Sequence, residues 1–195
     1  MVLPLDVTSE RSVAEFFNSV EEKIGTADIL INNAGTSDPK RFKDLDEESW
    51  NYVLNTNLNG AYRVAKNFTD QLIKSKKSGS IVNIASILGL RVGFNLSSYA
   101  TAKAGLIQLT KSMALELARS NIRVNAIAPG YILTEINDDF FATKEGQDYI
   151  NNIPMRRLGL ESDLDGILLL LASDASSFMT GSIIPVDGGH LNNPL

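Results

Sequence analysis

The chain has 195 residues, 44% of them hydrophobic, which is enough to bury one core and falls in the usual size range of a single domain. Its 18 basic and 23 acidic residues leave a net charge of −5, and Lys and Arg are scattered along the chain, which argues against nucleic acid as a partner. With no cysteine and a single histidine, His190, that has no metal-ligand spacing around it, the composition excludes disulfides and thiolate metal sites and points away from metal catalysis.

The first residues, Met1 to Asp6, lack the basic region and apolar core of a leader, and no run approaches 18 apolar residues, so a cytoplasmic protein without a membrane segment is expected. Val2, Leu3 and Leu5 form an apolar run that predicts a strand ending at Asp6. Val13, Phe16, Phe17, Val20 and Ile24 then recur at helical spacing until Gly25. Ile29 to Ile31 predict a strand that stops at the turn Asn32-Asn33-Ala34-Gly35, and a long helical region follows from about Glu47 to Lys76. Ser80 to Ala85 read as a buried strand, followed by a loop holding Gly89 and Gly93 and a helix from about Ser97 to Arg119. Ile122 to Ala128 predict a strand closed by Pro129-Gly130, the stretch 131–160 is irregular with short helical pieces, and Asp163 to Ala172 are helical. Ile183 to Val186 supply a last strand before Asp187-Gly188-Gly189. Strands regularly separated by helices predict an α/β fold with a parallel sheet and right-handed crossovers, whose ligands bind outside the carboxyl ends of the strands. With no internal repeat, low-complexity tract or linker, residues 1–195 read as one domain.

Tyr99 and Lys103 lie four apart on a predicted helix, so they share a face, but Tyr62 and Lys66 have the same spacing. What separates the first pair is Ser86, which ends an apolar strand upstream and brings a hydroxyl to the edge where parallel sheets build sites. In such a trio the phenol exchanges a proton with substrate while the serine hydroxyl holds the substrate oxygen. Bringing a phenol from about 10 to near neutrality takes roughly 4 kcal/mol. One ammonium about 4 Å away, at an effective dielectric near 20, supplies about that much, so Lys103 is expected to lower the pKa of Tyr99.

The ordered set Asp6-Val7, Asn32-Asn33-Ala34-Gly35, Asn57, Ser86, Tyr99-Ala-Thr-Ala-Lys103-Ala-Gly105, Pro129-Gly130 with Thr134, and Asp187-Gly188-Gly189 resembles the short-chain dehydrogenases/reductases over nearly the whole chain. The resemblance implies a Rossmann-like, doubly wound parallel sheet and an oxidoreductase that moves a hydride between NAD or NADP and a carbonyl or secondary alcohol. It implies a catalytic tetrad of Asn57, Ser86, Tyr99 and Lys103, in which Asn57 helps to hold a proton-relaying water and Lys103 also holds the nicotinamide ribose. It places Asp6 and Val7 at adenine, Asn33, Ala34 and Gly35 along the cofactor, and Pro129, Gly130, Ile132 and Thr134 on the nicotinamide side, with Tyr99 and Lys103 bordering the cofactor as well. No metal is implied. Partners are a small carbonyl or alcohol substrate and further copies of the chain, in a homo-oligomer, tetramer or dimer, built on the long helices and a C-terminal strand. Within the family the chain looks most like the 3-oxoacyl-carrier reductases and the sugar-acid dehydrogenases, and the segment from about Tyr131 to Leu158, with Ile132, Leu133, Ile136, Phe140, Phe141 and Met155, reads as a substrate lid.

The sequence departs from that family at its start. Relatives begin with a strand, a T-G-x-x-x-G-x-G turn whose amides approach the pyrophosphate, a helix and a second strand, whereas Met1 here falls inside the third strand. At about 30 residues per βαβ unit, an N-terminal truncation on the order of 50 residues is expected. In the family strand order 3-2-1-4-5-6-7 this leaves Ile29 to Ile31 as an exposed apolar edge and removes the main anion site. The strand that sets the preference for NAD or NADP is also missing. Two other readings follow. One is a non-catalytic fragment or partner subunit, which tight nicotinamide binding by this chain would exclude. The other is a dehydratase or epimerase built on the same Tyr-x-x-x-Lys pair, disfavoured because those relatives append a substrate domain.

Overall fold

The computed structural model describes residues 1–134 and 138–192. In chain order they form α1 (Glu10–Ile24), β1 (Ile29–Asn32), α2 (Glu47–Leu54), a π-helical turn (Asn55–Gly60), α3 (Ala61–Ser75), β2 (Gly79–Ile84), α4 (Ser97–Leu117), β3 (Ile122–Pro129), α5 (Asp138–Ala142), α6 (Lys144–Asn151), α7 (Asp165–Ala172) and β4 (Ile183–Val186), with 3-10 turns between some of them. Local signals set several boundaries. Ser9 accepts the Ser12 amide to start α1 and Gly25, at φ 80°, ends it, while Asp46 accepts the Ser49 amide to start α2.

The four strands make one parallel sheet in the order β1-β2-β3-β4. Ile29 lies opposite Ser80, Gly79 opposite Ile122, and Ala126 opposite Ile183. Parallel strands need covered crossovers, and the two faces show it. On one face Val13 and Phe17 of α1, Val64 and Phe68 of α3 and Ala114 of α4 pack over Ile81 and Val124. On the other, Leu171 of α7 packs with Val82, Ile127 and Ile184. The α/β class and the parallel sheet expected from the sequence are therefore present. No helix among the described residues is long and apolar enough to cross a membrane.

Two expectations are corrected. The Val2 to Leu5 run is not a strand: a strand exists only through a ladder, none of these residues pairs, and Val2 is 97% exposed. Among the described residues β1 pairs on one side only, with β2. The helical region from Glu47 to Lys76 is interrupted by the π-helical turn, which takes one extra residue per hydrogen-bonded ring and so turns Asn57 inward.

A buried polar ladder runs across the first face. Asn32 of β1 donates through Nδ2 to Asn83 Oδ1 at 3.0 Å and to the Ala61 carbonyl at 3.2 Å. Asn83 Nδ2 donates to Thr110 Oγ1 at 2.8 Å, and the Thr110 hydroxyl donates to the Leu106 carbonyl at 2.8 Å.

Candidate active site

β2 delivers Ser86 to the carboxyl end of the sheet in extended backbone, φ −169° and ψ 155°, where it caps the 3-10 turn Ile87–Gly89 and its Oγ accepts the Leu88 amide at 3.1 Å. That turn lies directly against α4, since a Cβ on Gly89 would come within 2.8 Å of the Lys103 carbonyl carbon and oxygen. Only a residue without a side chain permits this approach, which brings Ser86 to the first turns of α4. The Ser86 hydroxyl lies near enough to the Tyr99 phenol to favour its ionised form.

One helical turn on, the Lys103 side chain is 4% exposed. Its Nζ donates to the Ile84 carbonyl at 2.7 Å and stands 5.7 Å from the centre of the Tyr99 ring, within range of the negative face of the aromatic system. Burial lowers its pKa from 10.5 to about 8. The same burial raises Tyr99 above 10, and this outweighs the pull of Ser86. The expectation that Lys103 would bring the phenol toward neutrality is thus overturned: the ammonium is turned to a carbonyl and lies over the ring, and the lost hydration of the phenolate decides the direction.

Asn57, fully buried in the π-helical turn, holds the loop after β1. Its Nδ2 donates to the carbonyls of Thr36 at 2.7 Å and Val53 at 2.8 Å, and its Oδ1 accepts the Thr36 amide at 3.2 Å. Gly35 makes the junction. A Cβ there would sit 2.9 Å from Asn57 Oδ1 and 3.6 Å from Lys103 Nζ, so the loop, the amide and the ammonium meet at one point. Gly105 in turn lets α4 rest on Leu58, at 2.9 Å from a would-be Cβ. Asn33, Ala34 and Gly35 are exposed at this edge.

At the neighbouring strand ends, Gly130 donates to the Val186 carbonyl at 2.9 Å and lies against the Asp187 backbone. Asp187 accepts the amides of Gly189 at 2.9 Å and Leu191 at 2.8 Å, with Gly188 at φ 61° and Gly189 at φ 85°, and so closes a turn that sets His190 below Tyr131. Ile132 bridges to Gly159, and Thr134 follows it in the described chain. A hollow of about 360 Å³ opens here, lined among others by Tyr131, Ile132, Met155, Arg157 and Asp187. These groups fit a nicotinamide cofactor at the carboxyl edge: exposed backbone at Asn33 to Gly35, a glycine cradle, and the Lys103 ammonium beside it.

The structure therefore brings Asn57, Ser86, Tyr99, Lys103 and Gly35 together. It ties Asp6 and Val7 elsewhere, the Asp6 carboxylate accepting Thr8 N at 2.9 Å and Thr8 Oγ1 at 2.7 Å, and Val7 packing on Gly60. Tyr62 is 52% exposed, and Lys66 is paired to Asp70. Of the expected lid, Ile136 and the side chain of Phe140 lie outside the described residues. Two neighbours of the site, Arg91 and His190, were not expected there from the sequence, and Tyr131 entered only as the start of the expected lid. The Arg91 Nη1 donates to the His190 carbonyl at 3.0 Å across 99 positions, a juxtaposition no local pattern encodes.

Residues 1–190 match the family model described as enoyl-(acyl carrier protein) reductase. Among curated proteins, the 3-oxoacyl-[acyl-carrier-protein] reductase of Thermotoga maritima is 39% identical over 185 residues, which cover 95% of this chain and 74% of that protein. Among solved structures, a short-chain type dehydrogenase/reductase from Mycobacterium marinum superposes with a TM-score of 0.92 at 34% identity, covering 97% of this chain and 75% of the other. A gluconate 5-dehydrogenase from Burkholderia cenocepacia, solved with NADP and tartrate, gives 0.92 at 31% identity over 96% of this chain and 74% of its own.

Proposed function

The chain belongs to the short-chain dehydrogenase/reductase family, as an NAD(P)-dependent oxidoreductase, and on that premise we propose that it interconverts a small carbonyl compound and the secondary alcohol with Tyr99 as general acid or base. The observation that carries this reading is the convergence of Ser86, Tyr99 and Lys103 at the carboxyl end of β2. When bound, the cofactor supplies or accepts the hydride. The chain's own part is to hold the substrate oxygen at Ser86 Oγ and the Tyr99 phenol and to move one proton there. Because burial keeps the phenol neutral, Tyr99 is poised to give its proton to a carbonyl oxygen as that oxygen gains charge in reduction. Lys103, Asn57 and Gly35 position that phenol and the loop beside it, and Lys103 faces the same edge as Asn33 to Gly35, where a nicotinamide ribose would lie. Pro129, Gly130, Ile132 and Thr134 border the nicotinamide side in this reading, and Asp6 and Val7 the adenine side.

The substrate is a 3-oxoacyl or hydroxy-acid compound, in keeping with the reductase and gluconate dehydrogenase names of the relatives. The chain assembles as a homo-oligomer, dimer or tetramer, through the outer faces of α3 and α4, where Tyr62 and Leu115 stand exposed. A cysteine-free composition suits a cytoplasmic location. The test is consumption of reduced nicotinamide with a small β-keto compound, beside Tyr99→Phe. Turnover that survives this substitution undiminished would remove Tyr99 from the role.

A further inference from the structure

On the turn that follows Ser86 stands a cation that the mechanism does not use. Arg91 follows the Ser86 turn, its amide donating to the Ile87 carbonyl at 2.9 Å, and its Nη1 reaches the His190 carbonyl at 3.0 Å. His190 stacks at 5.5 Å on Tyr131, and the Tyr131 phenol lies within electrostatic reach of both Tyr99 and the Arg91 guanidinium. Arg91 therefore stands at one edge with Tyr131 and His190, on the turn that follows Ser86. Among the described residues no carboxylate pairs with it, whereas Arg157, which lines the adjoining hollow, is held by Asp163 at 2.6 and 3.1 Å. With one nitrogen anchored to His190, the Nε and Nη2 donors remain as a two-pronged edge, which is the shape that matches a single carboxylate. His190 is only 7% exposed, so the carbonyl that holds Arg91 belongs to a buried residue.

We propose that Arg91 is a specificity-determining residue that binds a carboxylate carried by the substrate, so that the preferred substrates are short oxo acids and hydroxy acids and not their neutral counterparts. This deepens the oxidoreductase reading and rests on it for the reacting end of the molecule only. A doubly charged phosphate would call for more than one cation, and the neighbouring Arg157 is already held by Asp163.

The test uses matched pairs, acetoacetate with methyl acetoacetate and 3-hydroxybutyrate with its methyl ester, on the 195-residue chain and its R91Q and R91K variants. Calorimetric binding of 3-hydroxybutyrate is expected to be at least about ten-fold tighter than that of the ester, a gap worth about 1.4 kcal/mol. Arg91→Gln is expected to erase it while leaving ester binding unchanged and lowering thermal stability by no more than the one lost bond to the His190 carbonyl, and Arg91→Lys to restore it only in part because a point charge lacks the two-donor edge. In turnover, the loss is expected as a raised KM for acetoacetate with kcat little changed. Equal binding of acid and ester by the unaltered chain, or an equal loss of both in Arg91→Gln, would overturn the proposal, as would tighter binding of inorganic phosphate than of 3-hydroxybutyrate. Acid-selective binding without any nicotinamide turnover would instead count against the oxidoreductase reading and leave Arg91's role standing.

Discussion

Tyr99 keeps its proton through the neutral range because its phenolate would lose hydration that Ser86 alone does not replace. Alcohol oxidation needs the ionised phenol, so its rate is expected to climb with pH up to and beyond the ordinary tyrosine value, while carbonyl reduction is expected to run near neutrality; a pH profile in both directions checks this. Tyr99→Phe removes the transferable proton and should cut turnover by about 100-fold or more while the fold persists. Lys103 carries the opposite linkage. Its folded pKa of about 8 lies below the 10.5 of the unfolded chain, so between those values the unfolded state binds more protons. Below pH 8 the buried ammonium costs stability on the order of 3 kcal/mol, and this penalty fades as pH rises from about 8 toward 10.5. Urea unfolding of Lys103→Met across that range is expected to lose this rise, and an unchanged slope would refute it. At Gly35 a methyl group would press on Asn57 Oδ1 at 2.9 Å, so Gly35→Ala should destabilise by about 1–3 kcal/mol and depress turnover further than it depresses stability.

At the level of elements, the strands and helices from Ile29 onward could be read from apolar spacing because each has one face buried against the sheet, and Tyr99 and Lys103 could be paired because a helix repeats every three to four residues. The π-helical turn could not. A single widened ring leaves no periodicity, and Asn57 stood out only through the family it resembles. Val2 to Leu5 show the reverse failure, since apolar alternation marks a segment able to form a strand and says nothing of whether a partner lies alongside. Asn57 is the element-scale test. Replacement by Ala strips the Thr36 amide and two carbonyls of their partner inside the fold, and is expected to cost about 2–4 kcal/mol and to free the loop 33–36, visible as faster amide exchange there.

For the molecule as a whole, the parallel sheet followed from alternation of strand and helix and its strand order from the family resemblance, but the assembly of distant segments did not: Arg91 and His190 meet only after the chain has closed. Leu115, 82% exposed on α4, is an apolar group on an outer surface. Sizing in solution is expected to give a species of at least two chains, with Leu115→Asp shifting it toward the monomer; a monomer at all concentrations would exclude the oligomer. The ladder from Asn32 through Asn83 to Thr110 bears on all of this. Apolar contacts between α4 and the sheet would be nearly as good after a small roll of the helix, but these two amides and one hydroxyl are satisfied at a single setting. They act as a keyway, converting a greasy interface with many near-equal orientations into one that points Tyr99 and Lys103 the same way in every molecule.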